Sequence, residues 1–173
     1  MNTKRIALAI TVALILQMGL ASLSVLNGGG IDLVLVAVVA LALGNGPIVG
    51  LLVGAIGGMM QDALGGGIIG IGGISKTLIG FFVGSLSVQL MVVGLAPKFL
   101  VFLGASQLNS LFFIGLYLLL GLPMPAFSFV AIAGHAIVNG VVGVVWISVI
   151  EMVQKRVLRQ RERYKFRRRF GTW

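Results

Sequence analysis

Polar residues are sparse along this chain, and where they fall they divide it into six apolar stretches. Lys4 and Arg5 precede the first, over about residues 6–26, which gives way to the Asn27–Gly30 turn. The second and third cover about 31–45 and 47–63 and meet at Gly44-Asn45-Gly46-Pro47. Gln61, Asp62 and a glycine-rich stretch over 65–73 lead to the fourth, about 74–94. The fifth and sixth, about 99–120 and 126–150, are divided by a turn carrying Pro123 and Pro125. A helix needs about 20 residues to cross a bilayer core of about 30 Å. Four of the stretches meet that length. The second and third fall short unless the turn residues join the helices or the bilayer thins locally. The first is longer than a signal-peptide core and further spans follow, so it reads as a retained helix. The pattern predicts an all-α integral membrane protein of six transmembrane helices in one bundle (1–150), with a tail over 151–173.

Composition agrees. Of 173 residues, 58% are hydrophobic and 10% charged, and the mean hydropathy is +1.12. Soluble domains carry about 25% charged residues. The 26 glycines suit membrane helices, which tolerate them better than soluble ones do. No cysteine is present, so disulfides, thiolate metal sites and cysteine nucleophiles are excluded. With one histidine and four acidic residues, no Ser/His/Asp set and no paired-carboxylate site assembles. A non-enzyme without cofactor is expected.

The charge is lopsided. Residues 1–150 hold Lys4, Arg5, Lys76 and Lys98 against Asp32 and Asp62. The tail holds Lys155, Arg156, Arg159, Arg161, Arg163, Lys165, Arg167, Arg168 and Arg169 against Glu151 and Glu162. Cytoplasmic loops are enriched in Lys and Arg. Six spans then put both termini and Lys98 in the cytoplasm, with Asp32 and the proline turn opposite. Cationic clusters beside a span attract anionic lipid at about 1 kcal/mol per residue. Tyr164, Phe166, Phe170 and Trp173 suit the headgroup level. Lipid contact accounts for the tail, and no specific nucleic acid is expected.

Residues 70–77, GIGGISKT, lie one residue from the phosphate-binding pattern G-x-x-x-x-G-K-[ST], with Ser75 in the place of the second glycine. That pattern needs a strand before it and a magnesium-binding carboxylate nearby, and an apolar membrane segment supplies neither. Lys76 still needs an account, because membrane-embedded charges are costly. Two readings stand: it pairs with Asp62 across the glycine turn, or both are hydrated at the same interface.

Gly50, Gly54 and Gly58 recur at four-residue steps, as do Gly80 and Gly84. Such faces let helix backbones approach closely, either inside this bundle or against another membrane protein. His135 and Asn139, four apart on the last span, read as interhelical hydrogen-bond formers rather than a proton relay or metal site, and so do Gln17 and Asn109.

The block GPIVGLLVGAIGGMMQDALGGGIIGIGGISKTLIGFFVGSL, Gly46 to Leu86, resembles the MreD family of the bacterial rod-shape machinery. That family shows a glycine-rich helix ending in an acid, a Leu-Gly pair and a Gly-aromatic-hydrophobic-x-Gly helix. Asp62 matches the acid, Ile69-Gly70 the pair, and Gly80 to Gly84 the last element. ALILQ ending at Gln17, IDLVLV from Ile31 and VNGVVGVVW around Asn139 and Gly140 match the family's first, second and last spans. Lys76 departs from it, standing where the family is usually apolar. The resemblance implies a six-helix fold similar to the substrate-binding (S) subunits of energy-coupling-factor transporters. It implies a scaffold in the bacterial cytoplasmic membrane that binds MreC, the MreB system, and RodA with its penicillin-binding transpeptidase partner. Gly50, Gly54, Gly58, Gln61, Asp62, Gly70, Gly80 and Gly84 would then form its structural core or partner interface. The competing reading is a vitamin-binding transporter subunit, with Ala9 and Ala13 as a docking step and Gln61, Asp62, Lys76 and Asn109 supplying polarity. A lipid-handling protein also fits a glycine-rich bundle, although no residue specifies its substrate.

Overall fold

The computed structural model describes residues 12, 31–66, 68–90, 92, 94–123 and 128–170, with residues 153–170 as backbone alone. The expected first span and Gln17 lie outside the described residues. Five helices follow: α1 (Leu33–Asn45), α2 (Pro47–Gly65), α3 (Ile71–Gln89), α4 (Leu95–Leu119) and α5 (Phe129–Phe170). Pro47–Gly65, Ile71–Gln89, Leu95–Leu119 and the Phe129–Met152 part of α5 are long and apolar enough to cross a membrane. The chain is therefore an α-helical, multi-pass membrane protein.

α1 is short because of where it sits. At about 1.5 Å per residue, its 13 residues cover about 20 Å. It packs against all four other helices, and most of its side chains are buried, from Leu33 through Ala42. A helix apolar on every side belongs in a core. Leu35, Val36, Val39 and Ala42 meet Ile79 and Val83 of α3, Phe102 and Ala105 of α4, and Ile147 of α5. Val34, Val38 and Leu41 face Val53 of α2.

The connections correct several expected boundaries. Gly44 and Asn45 finish α1 and Pro47 opens α2, leaving Gly46 alone between them. Gly46 has φ of 85°, which glycine adopts at little cost, and proline suits the first helical position because its missing N–H has no partner there anyway. The glycine-rich stretch is not a turn throughout: Gly66 caps α2 in the left-handed region and Gly70 precedes α3, so Gly72 and Gly73 are helical. α3 stops at Gln89, five residues before the expected Gly94, and α4 starts at Leu95. The last span and the tail's backbone as far as Phe170 form one helix, α5, unbroken past residue 150.

α2 and α3 form the closest-packed pair. Gly50 rests against Gly80, Gly54 against the backbone of Lys76 and Thr77, and Gly58 against Gly72 and Gly73. A Cβ on Gly84 would lie 2.5 Å from Pro47 Cα, and one on Gly58 2.6 Å from the Gly72 carbonyl oxygen. The four-residue glycine steps are thus used inside the bundle.

Candidate functional site

Lys76 lies at the same four-residue step along α3 as Gly72, Gly80 and Gly84, on the face turned to α2. Gly54 has no side chain, so the α3 backbone comes close at that point. The side chain of Lys76 turns away to α1, where its ammonium meets Asp32 Oδ2 at 2.8 Å. Lys76 is 5% exposed. The sequence led us to expect Asp62 or water as its partner, and neither holds. The reason is topological: burial of α1 at the centre brings the acid at its N-terminus alongside α3.

Asp32 is engaged on several sides. Oδ1 accepts from the Leu35 amide at 2.9 Å, capping α1 as an acid at this position does. The Asp32 amide donates to Asn139 Oδ1 at 3.0 Å, and Asn139 Nδ2 donates to Ser106 Oγ at 2.9 Å. Lys76, Asp32, Asn139 and Ser106 come from α3, the start of α1, α5 and α4, so one chain of polar contacts ties four elements together. Asn139 and Ser106 are both buried. His135, one turn before Asn139, is only partly buried and stands outside this chain.

Asp62 has another task. Oδ2 accepts from the amides of Gly70 and Gly73 at 2.9 and 3.2 Å. These are N-terminal donors of α3, which have no partner within the helix. In a phosphate-binding loop they would face the nucleotide. Here a carboxylate of the same chain occupies that place, and Lys76 is committed to Asp32. The near-match to a P-loop is spent on internal contacts.

The start of α1, the ends of α2 and α4, and the starts of α3 and α5 share one end of the bundle. There a cavity of about 280 Å³ is lined by Asp32, Gln61, Asp62, Lys76, Asn109 and Tyr117, among others. At the other end a cavity of about 390 Å³ lies under Lys98 and Glu151, which form an ion pair between the first turn of α4 and α5. Lys98 therefore sits beside the point where α5 becomes basic. Backbone alone describes α5 at Lys155, Arg156, Arg159, Arg163 and Arg167 to Arg169. Among the described residues, no three His, Cys, Asp or Glu side chains gather as a metal site would need.

Of the expected residues, Gln61, Asp62, Lys76 and Asn109 converge on the smaller cavity, while Gly50, Gly54, Gly58, Gly80 and Gly84 lie along the α2–α3 seam. Sequence reasoning missed Asp32 and Ser106. The first had a usable signal, an acid after a glycine turn and just before an apolar run, which is how a helix start reads. Ser106 had a weaker one, its step of three and four from Asn109 and Ser110 on α4. No protein-family model, curated protein or solved structure matches this chain.

Proposed function

We propose that this chain is a non-catalytic scaffold subunit of the MreD type. It belongs in the bacterial cytoplasmic membrane with both termini cytoplasmic, as six helices arranged like the S subunits of energy-coupling-factor transporters. It binds MreC and helps position RodA, its penicillin-binding transpeptidase partner and the MreB system, while the tail holds anionic lipid. One observation supports this above the rest. The block that carries the resemblance, Gly46 to Leu86, folds as a single interlocked hairpin whose turn is closed by Asp62. Such a closely packed hairpin suits an adaptor. Its outer face on α2, with Ile48, Leu52, Ile56 and Met59 exposed, offers a partner span an apolar surface.

The test is affinity purification of the tagged chain in mild detergent from its own bacterium, with mass spectrometry of proteins and small molecules. Co-elution of MreC and the RodA synthase is expected. A bound vitamin together with an ABC-type energising module would overturn the scaffold reading. That second reading draws on the cavity at Asp62, since ligand sites combine apolar walls with a few convergent polar groups.

A further inference from the structure

The cavity between α2, α3 and α4 holds hydrogen-bond acceptors that have no donors. Gln61 Oε1 and Asn109 Oδ1 are both shut off from solvent, and neither has a partner among the described residues. A buried carbonyl oxygen left unpaired keeps its desolvation cost with nothing to offset it, and folded proteins leave few of them. The two residues stand on different helices, α2 and α4, and both line the same cavity. Asp62 adds a third acceptor. Its Oδ2 holds the Gly70 and Gly73 amides, while its Oδ1 lies over Gly72, where a Cβ would collide with it.

The electrostatics have a sign. Two carboxylates, Asp32 and Asp62, line the cavity against the single ammonium of Lys76, which is already paired. The α4 wall that carries Asn109 is also aromatic: Phe113 and Tyr117, at the next four-residue steps, line the cavity with ring centroids 4.9 Å apart. Aromatic faces attract cations.

We infer that this cavity binds a protonated primary amine. An ammonium group offers three donors, enough for Gln61 Oε1, Asn109 Oδ1 and the Asp62 carboxylate together, and its charge balances the excess acid. An anion would meet like charge. An apolar ligand would leave the amide oxygens unpaired, and a quaternary ammonium has no N–H to give them. Ile68 of the cavity lining is exposed and apolar, which suits either an ethanolamine lipid headgroup or a free small amine. This assignment does not depend on the scaffold reading and stands or falls separately.

The test uses the purified full chain in detergent, titrated with phosphatidylethanolamine or phosphatidylcholine of matched acyl chains and read by native mass spectrometry. Ethanolamine binding is measured by calorimetry alongside. Phosphatidylethanolamine should bind at least about tenfold tighter, because the methylated headgroup loses its charged donors. If ethanolamine binds alone, the ligand is a free amine; if only the lipid binds, it is the headgroup. Gln61→Leu and Asn109→Leu should each weaken binding roughly tenfold, yet melt no lower than the parent in the absence of amine, since each removes an unpaired oxygen. Equal binding of the two lipids with no response to ethanolamine overturns the inference. So does unchanged amine affinity in both variants. The headgroup comparison decides the matter even if a variant fails to fold.

Discussion

Lys76 and Asp32, 44 residues apart in sequence, meet at 2.8 Å between α3 and the start of α1, with their side chains 6% and 21% exposed. A buried ion pair gains little over an apolar pair of the same size, yet losing one partner leaves an uncompensated charge that costs about 3–5 kcal/mol. Lys76→Met should therefore destabilise by about that amount. Asp32→Asn, which keeps a capping oxygen, should do so somewhat less. The double variant should recover most of the loss. Unfolding in mixed micelles across the full double-mutant cycle checks this; additive losses would mean that the pair is not coupled.

Gly54 and Gly104 should respond oppositely to alanine. At Gly54 the new Cβ runs into the backbone of Lys76 and Thr77, whereas at Gly104 it meets nothing within 4 Å. We expect Gly54→Ala to separate α2 from α3 and abolish a cooperative melt. Gly104→Ala should be neutral or stabilising by up to about 1 kcal/mol, since alanine holds a helix better than glycine. Comparable melting of the two variants would show that the seam is looser than described.

Asp62→Ala removes the acceptor for two amides at once. The loss should be about 1–3 kcal/mol, concentrated at the first turn of α3. Hydrogen exchange should rise at Gly70 and Gly73 and not in α4. If the scaffold reading is right, the same variant also weakens MreC co-purification and cell-shape complementation.

Asn139→Ala breaks two contacts, to the Asp32 amide and to Ser106 Oγ. It should cost more than Ser106→Ala, which breaks one, and more than any change to the Lys98–Glu151 pair. Glu151 is 46% exposed, and exposed pairs contribute at most about 1 kcal/mol. Melting temperatures of the three single variants give the ranking directly.

Because the chain has no cysteine, single cysteines report its orientation without background. Pro123→Cys, in the α4–α5 connection, should react with an impermeant thiol reagent from outside the cell. Ala96→Cys, in the first turn of α4 near Lys98, should react only after lysis. The reverse pattern would invert the proposed topology and place the tail outside the cytoplasm.

The sequence by itself determined the class of this protein and most of its helices. Apolar length and scarce charge require membrane helices, and Gly46-Pro47 marks an end where glycine and proline geometry leaves few alternatives. These properties are local, so they can be read along the chain. The glycine steps on α2 and α3 also announced a close seam, although not that each would be the other's partner. Tertiary structure decided the rest. α1 and α2 looked alike as short apolar runs, yet only α1 became the buried centre. Lys76 turned to Asp32 and not to the nearer Asp62, and Asp32 found Asn139 from 107 residues away. Gln61 and Asn109, each with an unpartnered side-chain oxygen among the described residues, came to line one cavity. Inside a bilayer a polar side chain must take whatever partner the neighbouring helices present, and which helices are neighbours is a property of the whole bundle's packing.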